Sequence, residues 1–193
     1  MRIQVELTGR TPLLMHNERL SDPTNEWAIA IKEITDKKTN QTEKDRDQVS
    51  KLEWYGGIYA DQNKEVVIPA ANLIKCFREA ASVTKSSMKI ARGLSPTKLH
   101  VPLINGGKSR NIDELWKDPV HADRRQVKVG RSRVKRTRPK FPVWSLIAEF
   151  ELVEDVLDLS TVTSIIELAG VATGLGDARI LGHGRFDAQV RKI

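Results

Sequence analysis

The chain has 193 residues, of which 39% are hydrophobic and 30% are charged, so it is long enough for one folded domain with a buried core. No run of about eighteen apolar residues predicts a membrane span, and the single cysteine, Cys76, excludes an internal disulfide and a cysteine-based zinc cluster. The first residues, MRIQVELTGR, alternate in the manner of a strand and lack the apolar core of a signal peptide. We therefore expect a cytoplasmic location and no membrane partner.

The net charge of +7 is concentrated in one part of the chain. Nine of the 32 Lys and Arg residues lie between Arg124 and Lys140, the basic segment, which contains no acidic residue. The other 23 are outnumbered by the 25 Asp and Glu residues. Localised positive charge is typical of a protein that binds a polyanion. The place of the basic segment in the fold is therefore central to the function.

The predicted elements begin with a strand at 2–9, where apolar and polar residues alternate. Residues 17–56 follow as a polar excursion, and their central part, 35–51, is almost wholly polar with charges of both signs. This composition predicts a solvated helix pair, a mobile loop, or an arm that becomes ordered on binding. Because such a segment cannot bury a core alone, we expect one domain, 1–193, into which the excursion is inserted.

Two helices are predicted to back the sheet. Pro69 begins the sequence PAANLIKCFREAASV, whose apolar residues recur on one helical face. Ser160 is predicted to cap a second helix, whose apolar stripe runs from Val162 to Ala169.

The basic segment contains valines at an informative spacing. Val127 and Val129 have odd residue numbers and Val134 has an even one, so in a regular strand they would point to opposite faces. In one strand, the apolar side chains can move from one face to the other only where an extra residue is inserted. Gly130-Arg131 is the natural place for such a bulge. We therefore predict one bulged strand with its valines on the core and its Lys and Arg outward. Charges can also protect an edge strand from aggregation, but that requires only one or two of them.

The order of elements predicts the fold class. Residues 145–153 alternate most regularly, and 185–193 form the last strand. Short strands near 57–68 and 97–104 are expected, although the pattern leaves their place open. The remaining order is strand, helix, strand, strand, helix, strand. This is the order of an α+β, ferredoxin-like or RRM-like β-α-β-β-α-β fold, a four-stranded antiparallel sheet backed by two helices.

The segment GLGDARILGHGRF, residues 174–186, joins the last helix to the last strand. Glycines permit positive φ and let a phosphate approach backbone amides. The segment is neither a Walker loop nor a dinucleotide fingerprint, because no GK[ST] follows and the glycines come after a helix. A helix end and a tight turn explain two glycines, whereas this loop has four: Gly174, Gly176, Gly182 and Gly184.

Three segments resemble the repeat-associated mysterious proteins (RAMPs), the RNA-binding superfamily of CRISPR effector complexes. VELTGRTPLLMH resembles the first strand and its TPL turn, and VIPAANLIKCFREAA resembles the first helix with its IPAxxLxxxlR-A pattern. GLGDARILGHGRF resembles the glycine-rich loop before the last strand. Within the superfamily the chain is most similar to the backbone subunits that stack along a guide RNA. Its shortness is also compatible with a solitary or phage-encoded relative.

The resemblance implies that the sheet face, the basic segment and the glycine-rich loop form one RNA-contacting surface, and that the excursion 17–56 forms a thumb. Aromatic residues are only 5% and the basic segment has none, so we expect backbone binding with weak sequence preference. The expected partners are RNA or single-stranded DNA and other subunits, in a homo-oligomer or ribonucleoprotein; no cofactor or metal is expected. The predicted nucleic-acid-binding residues are Arg124, Arg125, Lys128, Arg131, Arg133, Lys135, Arg136, Arg138, Lys140, Gly174, Gly176, Arg179, Gly182, His183, Gly184 and Arg185.

Two alternatives stay open. The first is a metal-independent endoribonuclease of the same superfamily, in which His16 acts as general base near Tyr55, Tyr59 or Lys75. His16 can equally be a polar loop residue after the first strand. The second is a structural or inhibitory protein that mimics an RNA-binding subunit and docks its basic segment on an acidic protein.

Overall fold

The computed structural model of the chain describes residues 1–36, 42–107, 109–129 and 132–193. No helix in these ranges is both long enough and apolar enough to cross a bilayer. The strands are β1 (Arg2–Gly9), β2 (Leu13–Leu14), β3 (Val67–Pro69), β4 (Leu94–Pro96), β5 (His100–Pro102), β6 (Ala122–Val129), β7 (Ser132–Phe141), β8 (Ser145–Leu152) and β9 (Phe186–Lys192). The helices are α1 (Glu26–Thr35), α2 (Glu43–Gly57), α3 (Ala70–Ala81), α4 (Ser87–Gly93), α5 (Ile112–Leu115) and α6 (Leu159–Leu168).

The central sheet has the strand order β4-β8-β1-β9, and every neighbouring pair is antiparallel. Along the chain its elements follow as β1, α3, β4, β8, α6 and β9. This is the β-α-β-β-α-β connection of the ferredoxin-like fold. The predicted α+β fold class is therefore confirmed.

The core lies between this sheet and the helices α3 and α6. Alternate residues of β1 and β8 are buried, and their neighbours face the other side of the sheet. Phe77 of α3 packs edge-on against Phe150 of β8, with ring centroids 6.1 Å apart. Burying apolar area of this kind contributes about 25 cal/mol per Å² to stability. The predicted apolar face of the first helix is thus the face that meets the sheet.

The prediction of a single bulged strand for the basic segment is wrong, because the segment forms the antiparallel hairpin β6–β7. Val127 is directly opposite Val134 in this hairpin. Residues opposite each other share a face, so the change of parity comes from chain reversal and needs no bulge. Both valines are only half-buried and lie outside the main core. Gly130 and Arg131 lie outside the described residues.

The second strand of the central sheet is β4, whereas the sequence pattern had placed the basic segment there. A strand of this sheet must present apolar residues to the covering helices, and Leu94 of β4 is buried in this way. The hairpin instead forms a separate sheet with β2, in the order β2-β7-β6. The short strands left unplaced by the sequence pair with each other, as the ribbon β3–β5.

The described part of the polar excursion is helical and is attached to the core through α2. A capping box between Thr42 and Asp45 begins α2. Trp54, near its C-terminal end, is fully buried and donates a hydrogen bond from Nε1 to the carbonyl of His121 at 2.7 Å. This attachment sets the position of α2 beside β7, where the two elements pack against each other.

The cap of α6 also differs from the prediction, since Asp158, rather than Ser160, is the N-cap residue. The carboxylate of Asp158 accepts a hydrogen bond from the amide of Thr161 at 2.8 Å. This bond, helped by the hydroxyls of Thr161 and Ser160, holds the pKa of Asp158 well below its ordinary value. A carboxylate is the stronger acceptor, so it takes the capping position from the neighbouring hydroxyl.

Candidate nucleic-acid interface

A groove of about 1190 Å³ separates the two helices of the excursion from the basic hairpin. One wall is formed by α1 and α2, and the other by β6 and β7. The segment after β2, including His16 and Leu20, closes the bottom. Ser50, in the middle of α2, and Glu53, one turn later, join this helix to the hairpin by hydrogen bonds.

Positive charge dominates the groove. Its described lining has seven Lys or Arg side chains and two carboxylates, Asp47 and Glu53. A cleft lined by one sign of charge focuses the electric field and attracts ions of the opposite sign. The basic side chains are Lys32, Arg46, Arg124, Arg125, Lys135, Arg136 and Arg138.

Glu53 fixes the hairpin to α2. Its carboxylate is buried and accepts hydrogen bonds from the backbone amide of Thr137 at 2.8 Å and from Arg136 Nη1 at 2.5 Å. The hydroxyl of Thr137 also lies 2.8 Å from that of Ser50 on α2. The amide of Thr137 belongs to the edge of β7 that β6 does not cover, so Glu53 supplies the acceptor that a further strand would have provided.

Three predicted phosphate-binding arginines of the hairpin already have carboxylate partners within the fold. Arg136 pairs with Glu53, and Arg125 Nη2 lies 2.5 Å from Asp123 Oδ1. Arg138 Nε lies 2.6 Å from Asp177 Oδ2, an ion pair whose angles are not those of a hydrogen bond. Arg136 and Arg138 link the hairpin to α2 and to the glycine-rich loop, whereas Arg125 pairs within its own strand. The charge of all three is partly neutralised before any ligand arrives.

Arg133 and Lys135 are exposed and pair with no carboxylate in the described part of the chain. Arg124 has no such partner either; its guanidinium lies over the Trp116 ring at 5.6 Å and donates to Ser50 Oγ at 3.2 Å. Lys140 is half-buried at the base of the hairpin, opposite Leu14 of β2. Arg131 and the side chain of Lys128 lie outside the described residues.

The glycine-rich loop, 174–186, contacts the base of the hairpin. Arg125 Nη2 lies 3.3 Å from His183 Nε2, and the Arg138–Asp177 ion pair makes a second link. The fold therefore brings together the two basic features that the sequence analysis identified in distant parts of the chain.

The loop glycines use their amides inside the fold. The amides of Gly174, Gly182 and Gly184 donate to the carbonyls of Ala169, Arg179 and Pro12, at 2.7, 2.9 and 2.9 Å. A Cβ on Gly176 would lie 2.3 Å from the carbonyl oxygen of Leu14. Close packing explains Gly174, Gly176 and Gly184, whereas Gly182 has open space around it and is explained by its φ of +85°. The groups that face outward from the loop are side chains.

Two arginines of the loop differ in how they are held. Arg179 Nη1 donates to Glu79 of α3 at 2.7 Å. Arg185 Nη2 donates to the carbonyl of Arg179 at 3.4 Å, while its Nη1 is buried and has no hydrogen-bond partner. Arg185 therefore keeps one buried donor without a partner.

The open face of the central sheet differs in charge from the groove. Glu6, Glu149 and Glu151 project from this face, because their neighbours in β1 and β8 are buried against the helices. Carboxylates repel phosphates, and Arg2 pairs with only one of them, Glu151, at 3.5 Å. The positive surface thus consists of the groove and the loop, without the sheet face that the resemblance had included.

His16 lies in the groove among charged groups. Burial lowers its pKa, and Arg138 and Arg136 lower it further, against the opposing effects of Asp177 and Glu53. The ring is therefore neutral at pH 7.

The helpers proposed from the sequence do not meet the ring of His16. Tyr55 donates to Asp113 at 3.1 Å, and burial together with this carboxylate raises the pKa of Tyr55 to about 12. Tyr59 donates to the backbone carbonyl of His16 at 3.4 Å, and Lys75 is exposed on α3. Within the described ranges, no three His, Cys, Asp or Glu side chains lie together as metal ligands would.

Sequence reasoning missed Lys32, Arg46 and Glu53, which also line the groove. The first two lie in a segment with charges of both signs, where no pattern distinguishes them from solvated residues. Glu53 stands between Leu52 and Trp54 in the sequence KLEWY, and a lone acid next to a buried Trp is the only available signal.

No family model and no curated protein matches the chain. Among solved structures, a chain of the type III-B Cmr-beta complex bound to cognate target RNA matches with a TM-score of 0.52 and 14% sequence identity. Two weaker matches are a chain of a type IV-B CRISPR complex (TM-score 0.45, 10% identity, 99% of this chain and 90% of that chain) and Cmr6 from Pyrococcus furiosus (TM-score 0.42, 11% identity, 98% of each chain).

The Cmr-beta match covers 99% of this chain and 60% of the other, so the present chain spans about three fifths of that subunit's length. At this identity the likeness concerns the fold, and the two weaker matches carry no argument. The predicted resemblance to RAMP-type CRISPR subunits is confirmed as a resemblance of fold.

Proposed function

We propose that the chain binds the sugar–phosphate backbone of RNA, or of another single-stranded nucleic acid, in the groove between α1–α2 and the β6–β7 hairpin. Binding is largely independent of sequence and involves no catalysis. The observation that carries this proposal is the composition of the groove lining, which contains seven Lys or Arg side chains and only two carboxylates among the described residues. The RNA-bound complex that contains the fold neighbour is consistent with it.

The division of the cations gives the proposal its mechanism. Arg125, Arg136 and Arg138 are ion-paired within the fold, whereas Arg133 and Lys135 are exposed and available to phosphates. Each phosphate that is neutralised releases condensed counterions, which drives binding and makes it sensitive to salt. The backbone, present in every sequence, is the part of the ligand that such side chains recognise.

The test is a charge reversal of Arg133→Glu with Lys135→Glu. Affinity for several single-stranded RNA sequences should fall at least about tenfold, and to the same extent for each, because phosphate contacts carry no sequence information. Fluorescence anisotropy with labelled oligonucleotides measures this loss.

The matched control is Lys89→Glu with Arg92→Glu, two exposed cations of α4 on the helical side of the molecule. This variant has the same net charge as the first, so a general charge effect would weaken both equally. Unchanged affinity in the hairpin variant, or equal losses in the two variants, would refute the proposed groove.

We also propose that the chain acts as a subunit of a ribonucleoprotein in a prokaryotic or phage-infected cell, with copies side by side along the strand. The excursion 17–56 serves as the thumb in this arrangement. Its helices form one wall of the groove, so it contacts the same strand as the hairpin.

One observation favours a second function, a metal-independent endoribonuclease. A neutral His16 lies in the basic groove beside Arg136 and Arg138, where it can take a proton from a ribose 2′-hydroxyl. Labelled RNA incubated with chelator should then be cleaved, and His16→Ala should abolish cleavage. Because the pKa of His16 is lowered, the rate should rise with pH and reach half its maximum below pH 6.5. Intact RNA after prolonged incubation would dismiss this function.

A further inference from the structure

The glycine-rich loop exposes two large apolar side chains next to each other. Ile180 is fully exposed, and Leu181 is 69% exposed. Single exposed apolar residues such as Val83 and Leu99 occur on most surfaces and need no explanation. A pair at the end of a projecting turn, which we name the Ile180–Leu181 tip, presents a continuous apolar surface to solvent.

The tip is held outward by the fold. Residues Arg179–Leu181 form a single helical turn between two left-handed positions, Ala178 at φ +54° and Gly182 at φ +85°. The amide of Leu181 donates to the carbonyl of Ala178 at 2.9 Å, and Arg179 is anchored to Glu79 of α3 at 2.7 Å. A non-glycine residue in the left-handed region is strained, and such strain persists where the surroundings impose it. The exposure is thus a built feature of the loop.

Two arginines of the loop flank the tip in the chain, and one of them, Arg179, is paired with Glu79. Arg179 directly precedes the tip, Arg185 donates to the carbonyl of Arg179, and His183 contacts Arg125 of the groove wall. The tip is two residues away in the chain from His183, the loop residue that contacts the groove wall. A ligand that binds both the basic groove and the apolar tip must carry negative charges and flat apolar groups on one chain. A single-stranded nucleic acid does so, with its phosphates and its bases.

We propose that the Ile180–Leu181 tip packs against unstacked bases of the strand whose phosphates lie in the groove. Apolar side chains of this kind act as wedges between bases in other nucleic-acid complexes. The chain then selects single strands with accessible bases over duplexes and over a bare sugar–phosphate chain. This inference rests on the proposed function and adds the class of nucleic acid to it.

The experiment compares a uridine oligonucleotide with an abasic oligonucleotide of the same length and backbone. The unaltered protein should bind the uridine strand about tenfold more tightly, the gain expected from burying some 50–60 Å² of apolar area. The variant Ile180→Ser with Leu181→Ser should bind both strands with the affinity that the unaltered protein has for the abasic one. The control, Val83→Ser with Leu99→Ser, removes two side chains that are 75% and 76% exposed, and it should keep the preference.

Each other outcome overturns the inference in a recognisable way. A tip variant that keeps the full preference shows that the bases are not contacted. A tip variant that loses affinity for both strands equally shows that the tip supports only phosphate binding, and one altered only in self-association shows that it docks a second copy. If the unaltered protein binds neither strand, the proposed function fails and this inference fails with it. Thermal unfolding of the tip variant should match that of the unaltered protein, because neither side chain is buried.

Discussion

At the scale of single residues, the decisive distinction is between arginines that hold the fold and cations that remain available. Arg125, Arg133, Lys135 and Arg136 are all basic residues of the same segment, and the sequence does not distinguish them. Only Arg125 and Arg136 have carboxylate partners. Glu53 makes this difference for Arg136, since it also satisfies the amide of Thr137. A buried carboxylate with two donors is stable in place, whereas its removal leaves a buried donor unsatisfied.

Glu53→Ala should therefore lower the free energy of unfolding by about 2–3 kcal/mol, because the buried amide of Thr137 loses its acceptor. Urea unfolding measures this change. Glu79→Ala is the matched control; its partner Arg179 and Glu79 itself are partly exposed, so the loss should stay below about 1 kcal/mol. Equal losses in the two variants would show that Glu53 does not anchor the hairpin.

At the scale of elements, the basic hairpin and the glycine-rich loop are held together by residues 12–14, which include β2. The carbonyl of Pro12 accepts from Gly184, and the carbonyl of Leu14 accepts from Asp177, while Leu14 itself pairs with β7. The loop glycines make this approach possible. At Gly174, Gly176 and Gly184 a side chain would collide with neighbouring backbone, so these three positions require glycine for close packing.

Two of these glycines should respond differently to substitution by alanine. A Cβ on Gly184 would lie 1.8 Å from the carbonyl oxygen of Leu175, and the residue has φ +72°, so Gly184→Ala should cost about 3 kcal/mol or more. Gly182 has φ +85° but no atom within 4 Å of a Cβ, so Gly182→Ala should cost only about 1–2 kcal/mol of backbone strain. Thermal and urea unfolding would rank the two. The reverse order would refute the packing role assigned to Gly184.

At the scale of the whole molecule, charge is divided between two surfaces of one small fold. The groove is positive, while Glu6, Glu149 and Glu151 occupy the open face of the central sheet. Under the proposed function, we expect this division of charge to attract a single strand to one side of the protein and to orient it before contact. Among the described residues, four cations of the groove lining lack a carboxylate partner, namely Lys32, Arg46, Arg124 and Lys135, and the exposed Arg133 of the same hairpin lacks one as well.

The salt dependence of the binding affinity measures how many Lys and Arg side chains contact phosphates. With five contacts to a single strand, the logarithm of affinity should fall with the logarithm of salt concentration at a slope of roughly −3 to −4. Reversal of Arg133 and Lys135 should make the slope shallower by about 1.4. A slope near zero would exclude backbone binding, and one of about −6 would mean that the internally paired arginines also leave their carboxylates on binding.

The sequence alone predicted the ferredoxin-like fold, because hydrophobic alternation in 2–9 and 145–152 and the helical face of 70–81 are local signals that the core uses directly. It also located the two basic features of the site. It misassigned the basic segment to the central sheet, since alternation does not show where a chain reverses and residues 122–129 and 132–141 pair only after reversal.

Tertiary structure alone decided which cations are available and where the groove lies. Ion pairs such as Arg138–Asp177 join residues far apart in the chain, so local pattern carries no signal for them. The same holds for α1 and α2, whose polar composition permitted several states until the burial of Trp54 fixed α2 beside the hairpin. The physical reason is that composition sets the amount of charge. Ion pairing and burial depend on contacts between distant segments, and they determine how much of that charge is unpaired and accessible to a ligand.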